Sequence, residues 1–303
     1  MTKTSQSPLL GSKIGIFGKG GAGKSTVTVL LARALHRRGH EVVVIDADST
    51  NVGLAEALGF ERTPTPLVDH FGGMVFGGGA VTCPVDDPTP LPGADLDLDS
   101  VDTTFVGRTE GIRLLVLGKM GGLGAGSGCD GPISKIARDL HAHEGDREAV
   151  TLLDFKAGFE DSARGVLIGI DAAVTVVDAT PAAVHMAADL NHAVDAVRQG
   201  ALPATAHLGD AAQVELARQL YRGARVRGVV PVLNRIGDAE TERFVRGRLR
   251  ELGVEPVAAI PETPEITRAW MQGETLDADE FRQPMDRVIE ALEEVLTVGG
   301  ESP

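Results

Sequence analysis

Short apolar runs alternate along this chain with longer stretches in which apolar residues recur every three or four positions. The runs "KIGIFG" (13–18), "EVVVIDA" (41–47), "IRLLVLG" (112–118), "AVTLLDF" (149–155), "AAVTVVDA" (172–179), "VRGVVPVLN" (226–234) and "VEPVAAI" (254–260) are rich in Val, Ile and Leu. Continuous runs of this kind are strands buried on both faces, as in a parallel sheet. The longer period predicts helices at Ser25–Arg38, Ile133–His143, Pro181–Arg198, Asp238–Leu252 and Asp279–Leu296. Strand–helix alternation predicts an α/β fold: a doubly wound, mostly parallel sheet of about seven strands with helices on both faces. The pattern reads as one domain over 1–303, with a core at 12–298 and a tail at 299–303. Ligands in such sheets bind at the carboxyl ends of the strands.

One segment breaks the alternation. Residues 61–110 carry Pro64, Pro66, Pro84, Pro88, Pro90 and Pro92, the run "FGGGA", and six Asp between Asp86 and Asp102. They read as an elaborated or mobile loop whose acids face solvent. Nine arginines fall between Arg218 and Arg250 and read as Arg-bearing amphipathic helices with acidic partners. "HAHEG" (141–145) reads as a solvated helix end, where two His at i and i+2 do not face one another.

Composition narrows the function classes. A net charge of −14 disfavours general binding to DNA or to an anionic membrane surface. No apolar run approaches the ~20 residues of a membrane span, and the N-terminal stretch lacks a signal-peptide core. Two cysteines, Cys83 and Cys129, make no disulfide framework and suggest a reducing, cytoplasmic setting.

Candidate chemistry sits at the strand ends. "GKGGAGKS", Gly18 to Ser25, fits G-x-x-x-x-G-K-[ST], follows a strand and opens a helix. Gly18, Gly20, Gly21, Ala22 and Gly23 would turn backbone N–H groups toward phosphate oxygens, and the helix N-terminus adds its positive end. Lys24 would reach the β- and γ-phosphates of ATP, and Ser25, followed by Thr26, would hold Mg²⁺. Asp48 lies just past the second strand, where a carboxylate can position water. Asp154 ends "TLLDF" and, with Gly158, spells D-x-x-x-G. Asp154 would bond a Mg²⁺-bound water, and the Gly158 N–H would sense the γ-phosphate. Asn234 ends another strand, and its amide can donate to and accept from adenine.

Lys19 is not required by the phosphate-loop pattern. K-G-G-x-G-K-[ST]-T resembles the deviant Walker A motif of the MinD/ParA and nitrogenase-iron-protein superfamily. The resemblance implies a homodimer formed on ATP binding, in which Lys19 reaches the nucleotide of the other subunit. "DADS" is similar to the switch I pattern D-x-D-P, with Ser49 where Pro is usual; it implies that Asp48 orients the attacking water and touches the Mg²⁺ shell. Asn234 matches the adenine-binding Asn, and "AIPETPEI" resembles the loop over the adenine, with Pro261 and Glu262 in it.

Within the superfamily, residues 12–278 resemble the CooC-type nickel-insertion ATPases of carbon-monoxide dehydrogenase maturation. The stretches "GIRLLVLGKMGGLGAGSGCDGP", "DFKAGFEDSARG" and "VLNRI…IPETPEI…GETL" carry this. Two positions depart. The family's C-x-C is "CDG", with Gly131 for the second cysteine, and Lys156 replaces the acid of D-x-E-A-G. One Cys129 per subunit supplies two thiolates to a dimer, so a transition metal there would need other ligands or a linear Cu(I)-like geometry. Cys129 also resembles the first cluster cysteine of nitrogenase iron proteins, but their second has no counterpart, which counts against a [4Fe–4S] cluster. The resemblance implies an ATP-hydrolysing switch that matures a metalloenzyme client. The alternative is a ParA/MinD-like positioning ATPase whose ATP dimer binds DNA or another surface. A protein that only senses ATP is disfavoured by the intact set Lys19, Lys24, Asp48 and Asp154.

Overall fold

The computed structural model describes residues 7–118, 129–158, 161, 164–276 and 279–298. The glycine-rich 119–128 run, four residues of "DFKAGFEDSARG" and the 299–303 tail lie outside the described residues. The seven apolar runs become strands of one sheet: β1 (Lys13–Gly18), β2 (Val42–Ala47), β5 (Ile112–Val116), β7 (Val150–Phe155), β8 (Ala172–Val177), β9 (Val229–Ile236) and β10 (Ala258–Pro261). All are parallel, in the order β10-β9-β8-β1-β7-β2-β5. An eighth short strand, β4 (Gly107–Thr109), closes the edge antiparallel to β5. The fold is thus the doubly wound α/β sheet expected, with one strand more.

Helices cover both faces because alternate strand residues point to opposite sides. On one face α1 (Lys24–Arg37) and α9 (Arg282–Val298) pack Val27, Leu31, Met285 and Leu292 on Ile14, Ile16, Val44 and Leu152. On the other, α4 (Gly131–Asp139) and α5 (Pro181–Arg198) pack Ile133, Ile136, Leu190 and Val194 near Phe17, Ile45, Leu153 and Phe155. Phe17 and Phe155 stack at 4.7 Å between ring centroids. Shorter helices, α2 (Leu54–Leu58), α3 (Leu67–His70), α6 (Ala211–Arg222), α7 (Ala239–Glu251) and α8 (Pro264–Gln272), fill the connections.

One expectation is corrected. The helix expected to run to His143 ends at Asp139, and His141–His143 is a strand, β6, paired in parallel with β3 (Asp95–Asp97). On a strand, i and i+2 share a face. His141 and His143 therefore stand 5.8 Å apart, both beside Asp95. Within the 61–110 segment Asp86, Asp95, Asp99 and Asp102 are exposed, while apolar residues between them are not. Leu91, Leu96, Leu98 and Val106 are buried in the same core as α4. The buried Lys135 of α4 donates to Thr82 Oγ1 (3.2 Å) and to Asp87 O (3.0 Å) and Oδ2 (2.9 Å). Arg138 donates to the carbonyls of Pro88 and Thr89, both at 3.2 Å. Pro84, Pro88, Pro90 and Pro92 lack an amide donor, and side chains of α4 satisfy the carbonyls of Asp87, Pro88 and Thr89.

Candidate nucleotide site

β1 ends at Gly18 and the chain turns into α1 at Lys24. The turn is possible because Gly21 and Gly23 take φ of 83° and 88°, a region that side chains other than glycine's adopt at a cost. A Cβ on Gly23 would also collide with Asn234 Nδ2. The loop opens toward the carboxyl ends of β2 and β7, where the register sets Asp46 beside Asp154.

Around that point the structure gathers Lys24, Ser25 and Asp154. Ser25 Oγ donates to Asp154 Oδ2 at 2.6 Å. Asp154 is fully buried, and its Oδ1 has no hydrogen-bond partner among the described residues. Burial first, then the nearby Asp46 charge, pushes its pKa up to about 7. Lys24 is also buried, which lowers its pKa against the pull of Asp154, Asp48 and Asp161. Asp48 is half-buried and folds back on its own turn, accepting from Thr50 N (2.8 Å) and Oγ1 (2.6 Å). Lys19 is half-buried and makes no side-chain hydrogen bond or ion pair with the described residues. The Gly158 N–H donates to Gly18 O at 3.3 Å, so it closes on the phosphate loop.

On the other side of the loop, Asn234 is buried and its Nδ2 donates to Ala22 O at 2.7 Å. With Pro261, Glu262, Thr26 and Trp270 it lines a cavity of about 260 Å³. Asn234 therefore braces the phosphate loop as well as facing the place expected for a base.

Sequence reasoning missed three residues here. Asn51 donates to Ser25 Oγ (3.1 Å) and to Asp154 Oδ2 (3.2 Å). Trp270 Nε1 donates to Thr26 Oγ1 at 3.0 Å. Arg235, at φ 58°, donates to Gly21 O (3.0 Å) and pairs with Glu262 (3.1 Å). A sequence signal existed for Asn51, which follows Asp48 by three residues; none existed for the pairing of Trp270.

The departures at Ser49 and Lys156 meet at one carboxylate. Ser49 Oγ donates to Asp130 Oδ1 and Lys156 Nζ pairs with Asp130 Oδ2, each at 2.6 Å. Burial pushes the Asp130 pKa up, but the Lys156 and Ser49 hydrogen bonds and the Lys156 charge outweigh it and hold the group ionised. Ser134, one turn along α4, donates to Asp161 at 2.8 Å. The start of α4 thus ties the loop after β2 to the segment after β7. Cys129 lies there too, exposed and with a free thiol, away from the phosphate loop's hydrogen-bonded set. Among the described residues no group of three or more His, Cys, Asp or Glu could hold a metal ion.

A family model described as the CobQ/CobB/MinD/ParA nucleotide binding domain matches residues 16–276. An uncharacterised ATP-binding protein of Methanocaldococcus jannaschii is 27% identical over 269 residues, 88% of this chain and 94% of its own. The carbon monoxide dehydrogenase accessory protein CooC of Rhodospirillum rubrum is 33% identical over 185 residues, 59% of this chain and 67% of its own. Among solved structures, the septum site-determining protein MinD with Mg-ADP from Pyrococcus horikoshii superposes with a TM-score of 0.55. It is 16% identical, and the match covers 96% of this chain and 99% of that one. A ParA family ATPase from Chlorobium tepidum gives 0.54 at 13% identity, covering 92% and 96%. At such identities the structures speak for the fold alone.

Proposed function

This chain belongs to the CobQ/CobB/MinD/ParA nucleotide-binding family, and from that premise we propose that it binds and hydrolyses ATP as a homodimeric switch. The observation that carries this is the Lys24–Ser25–Asp154 group at the mouth of the phosphate loop. The buried Asp154 Oδ1, without a hydrogen-bond partner among the described residues and near the Asp46 and Asp48 charges, fits a divalent cation, because like charges gathered in one pocket favour a positive charge. Ser25 directly, and Asp48 and Asp154 through water, would hold Mg²⁺. When bound, the ion supplies countercharge to the β- and γ-phosphate oxygens.

The chain's own groups do the rest. Backbone N–H groups of the Gly18–Thr26 loop cradle the phosphates. Lys24 neutralises charge on the β- and γ-oxygens. Asp48 orients the water that attacks the γ-phosphorus, and ADP leaves. Lys19, half-buried at the loop, reaches the partner's nucleotide and stabilises the charge that develops there. Closure on a γ-phosphate frees the Gly158 N–H from Gly18 O and so reports the nucleotide state to the 154–165 segment. Asn234, with Pro261 and Glu262, receives the adenine. The test is phosphate release from Mg-ATP. Wild type turns over, and Asp48→Asn binds ATP but loses turnover. A wild type without turnover, or an Asp48→Asn protein at the wild-type rate, contradicts the reading.

The switch's purpose is read as maturation of a metalloenzyme client, as a metallochaperone or docking factor. The similarity to CooC, a carbon monoxide dehydrogenase accessory protein, supports it. The two free cysteines agree with a cytoplasmic setting. A ParA/MinD-like role is the second reading, favoured by the structural neighbours. Six arginines of the 218–250 cluster (Arg222, Arg225, Arg235, Arg246, Arg248 and Arg250) pair with carboxylates. That pairing weakens the case for a DNA-binding patch. Among the described residues no helix is long and apolar enough to cross a membrane. A low-salt DNA gel shift in ATP that disappears at higher salt would favour the second reading over the first.

A further inference from the structure

The chain's two cysteines lie far apart in sequence, yet both side chains lie against Gly131. A Cβ on Gly131 would lie 2.7 Å from Cys83 Cβ and 2.8 Å from Cys83 Sγ. The Cys83 side chain therefore occupies the space that a side chain at 131 would take. The Gly131 N–H donates to Cys129 Sγ at 3.4 Å. Neither cysteine is in a disulfide.

The position of Cys83 is built rather than incidental. Its carbonyl accepts from Asp87 N at 2.9 Å. Lys135, only 3% exposed, holds Thr82 and Asp87 on either side of it. Arg138 holds the carbonyls of Pro88 and Thr89. Two buried cations of α4 thus clamp the 82–89 loop over the start of the helix. Cys83 is half-buried and Cys129 is exposed.

We propose that Cys83 and Cys129 form a chelating dithiolate at the start of α4 that binds a thiophilic transition-metal ion. Two soft sulfur ligands select such ions over Mg²⁺, whose oxygen ligands lie at the phosphate loop. Binding releases the thiol protons and changes no oxidation state, so the step balances without a redox partner. The remaining positions on the ion are open to a second copy of the chain or to a client's ligands. The inference deepens the metallochaperone reading, on which its biological use rests.

The experiment titrates Co²⁺ into the reduced full-length protein without oxygen, after a thiol count has established two free thiols per chain. The expected result is a thiolate-to-cobalt absorption band that Zn²⁺ abolishes by competition. Cys83→Ser and Cys129→Ser should each weaken binding by about 100-fold or more, since even outer contacts of a metal site are worth about 10–100-fold. Both variants should keep the wild-type urea midpoint, so that loss of the band is not a folding defect. Wild type without the band, or Cys83→Ser binding as tightly as wild type, would overturn the proposal. ATP turnover on the same samples separates the two readings: turnover without the band leaves the ATPase reading standing and removes the metal site, and the band without turnover does the reverse.

Discussion

The phosphate loop draws its chemistry from nine consecutive residues, Gly18–Thr26, whereas the start of α4 gathers Ser49, Cys83, Cys129, Asp130 and Lys156 from four separate segments. In the first region backbone geometry does the work, so the residues must be contiguous and the glycines cannot be exchanged. In the second, side chains meet only because the sheet and α4 bring them together. A change in one segment can then be answered in another. Ser49 and Lys156 each depart from the pattern their neighbours suggest, and Asp130 binds both at 2.6 Å. Gly131 lacks a thiol, and Cys83 stands in the space beside it. Contiguous sites resist change, and assembled sites accommodate it by compensation.

The largest effect that would break this contrast is loss of turnover from the contiguous site. Lys24→Met should lower ATP turnover by about 10³-fold or more, the scale on which charge stabilisation at a transferring phosphoryl acts. Asp130→Asn should lower it far less. Equal losses in phosphate release would dissolve the distinction.

Next in size is a pH effect confined to the nucleotide pocket. The Asp154 pKa stands at about 7 in the folded, nucleotide-free chain, against about 4 when unfolded. Between those values the folded state holds a proton that the unfolded state has released. Stability is therefore greatest below about 4 and falls as pH rises through about 7. Asp154→Asn should remove the slope and stabilise the chelator-treated protein above neutral pH by roughly 1–4 kcal/mol. Urea melts at pH 5 and pH 8 measure it, and a slope that persists in the variant would place its origin elsewhere.

Gly23→Ala comes third. It forces a side chain into φ 88° and onto Asn234, which should cost about 1–3 kcal/mol and weaken ATP binding, as calorimetry would report. Unchanged affinity would show that the loop tolerates substitution as the assembled site does.

The smallest effect sharpens the contrast most. Asp130→Asn leaves Lys156 facing a neutral amide. Lys156→Met alone leaves a buried carboxylate with only Ser49. In the double variant the losses should fall short of their sum by about 0.5–2 kcal/mol, the signature of residues that act as a unit. Additive losses in a thermodynamic cycle would mean that the 2.6 Å pair does not couple the two loops.

These two regions also mark where sequence was legible. The seven apolar runs became the seven parallel strands because strands buried on both faces cannot disguise their composition. The Gly18–Thr26 loop could be read because its function depends on local backbone turns. β4 and β6 escaped notice because three-residue strands carry no period. The prolines and aspartates of 61–110 signal a loop, but not how it is anchored, because the Lys135 and Arg138 clamps lie far along the chain. Asn51, Trp270 and the Asp130 junction depend on contacts across strand ends, which composition does not encode.

In an ATP-driven dimer whose subunits complete each other's sites, two inactive variants should complement one another on mixing. Lys19→Ala and Asp48→Asn are each expected to bind ATP without turning it over. Mixed, they form heterodimers in which one site has both an intact Asp48 and the partner's Lys19, so phosphate release should reappear. A mixture that stays silent while both variants still bind nucleotide, or a Lys19→Ala protein that hydrolyses ATP at the wild-type rate, would contradict it.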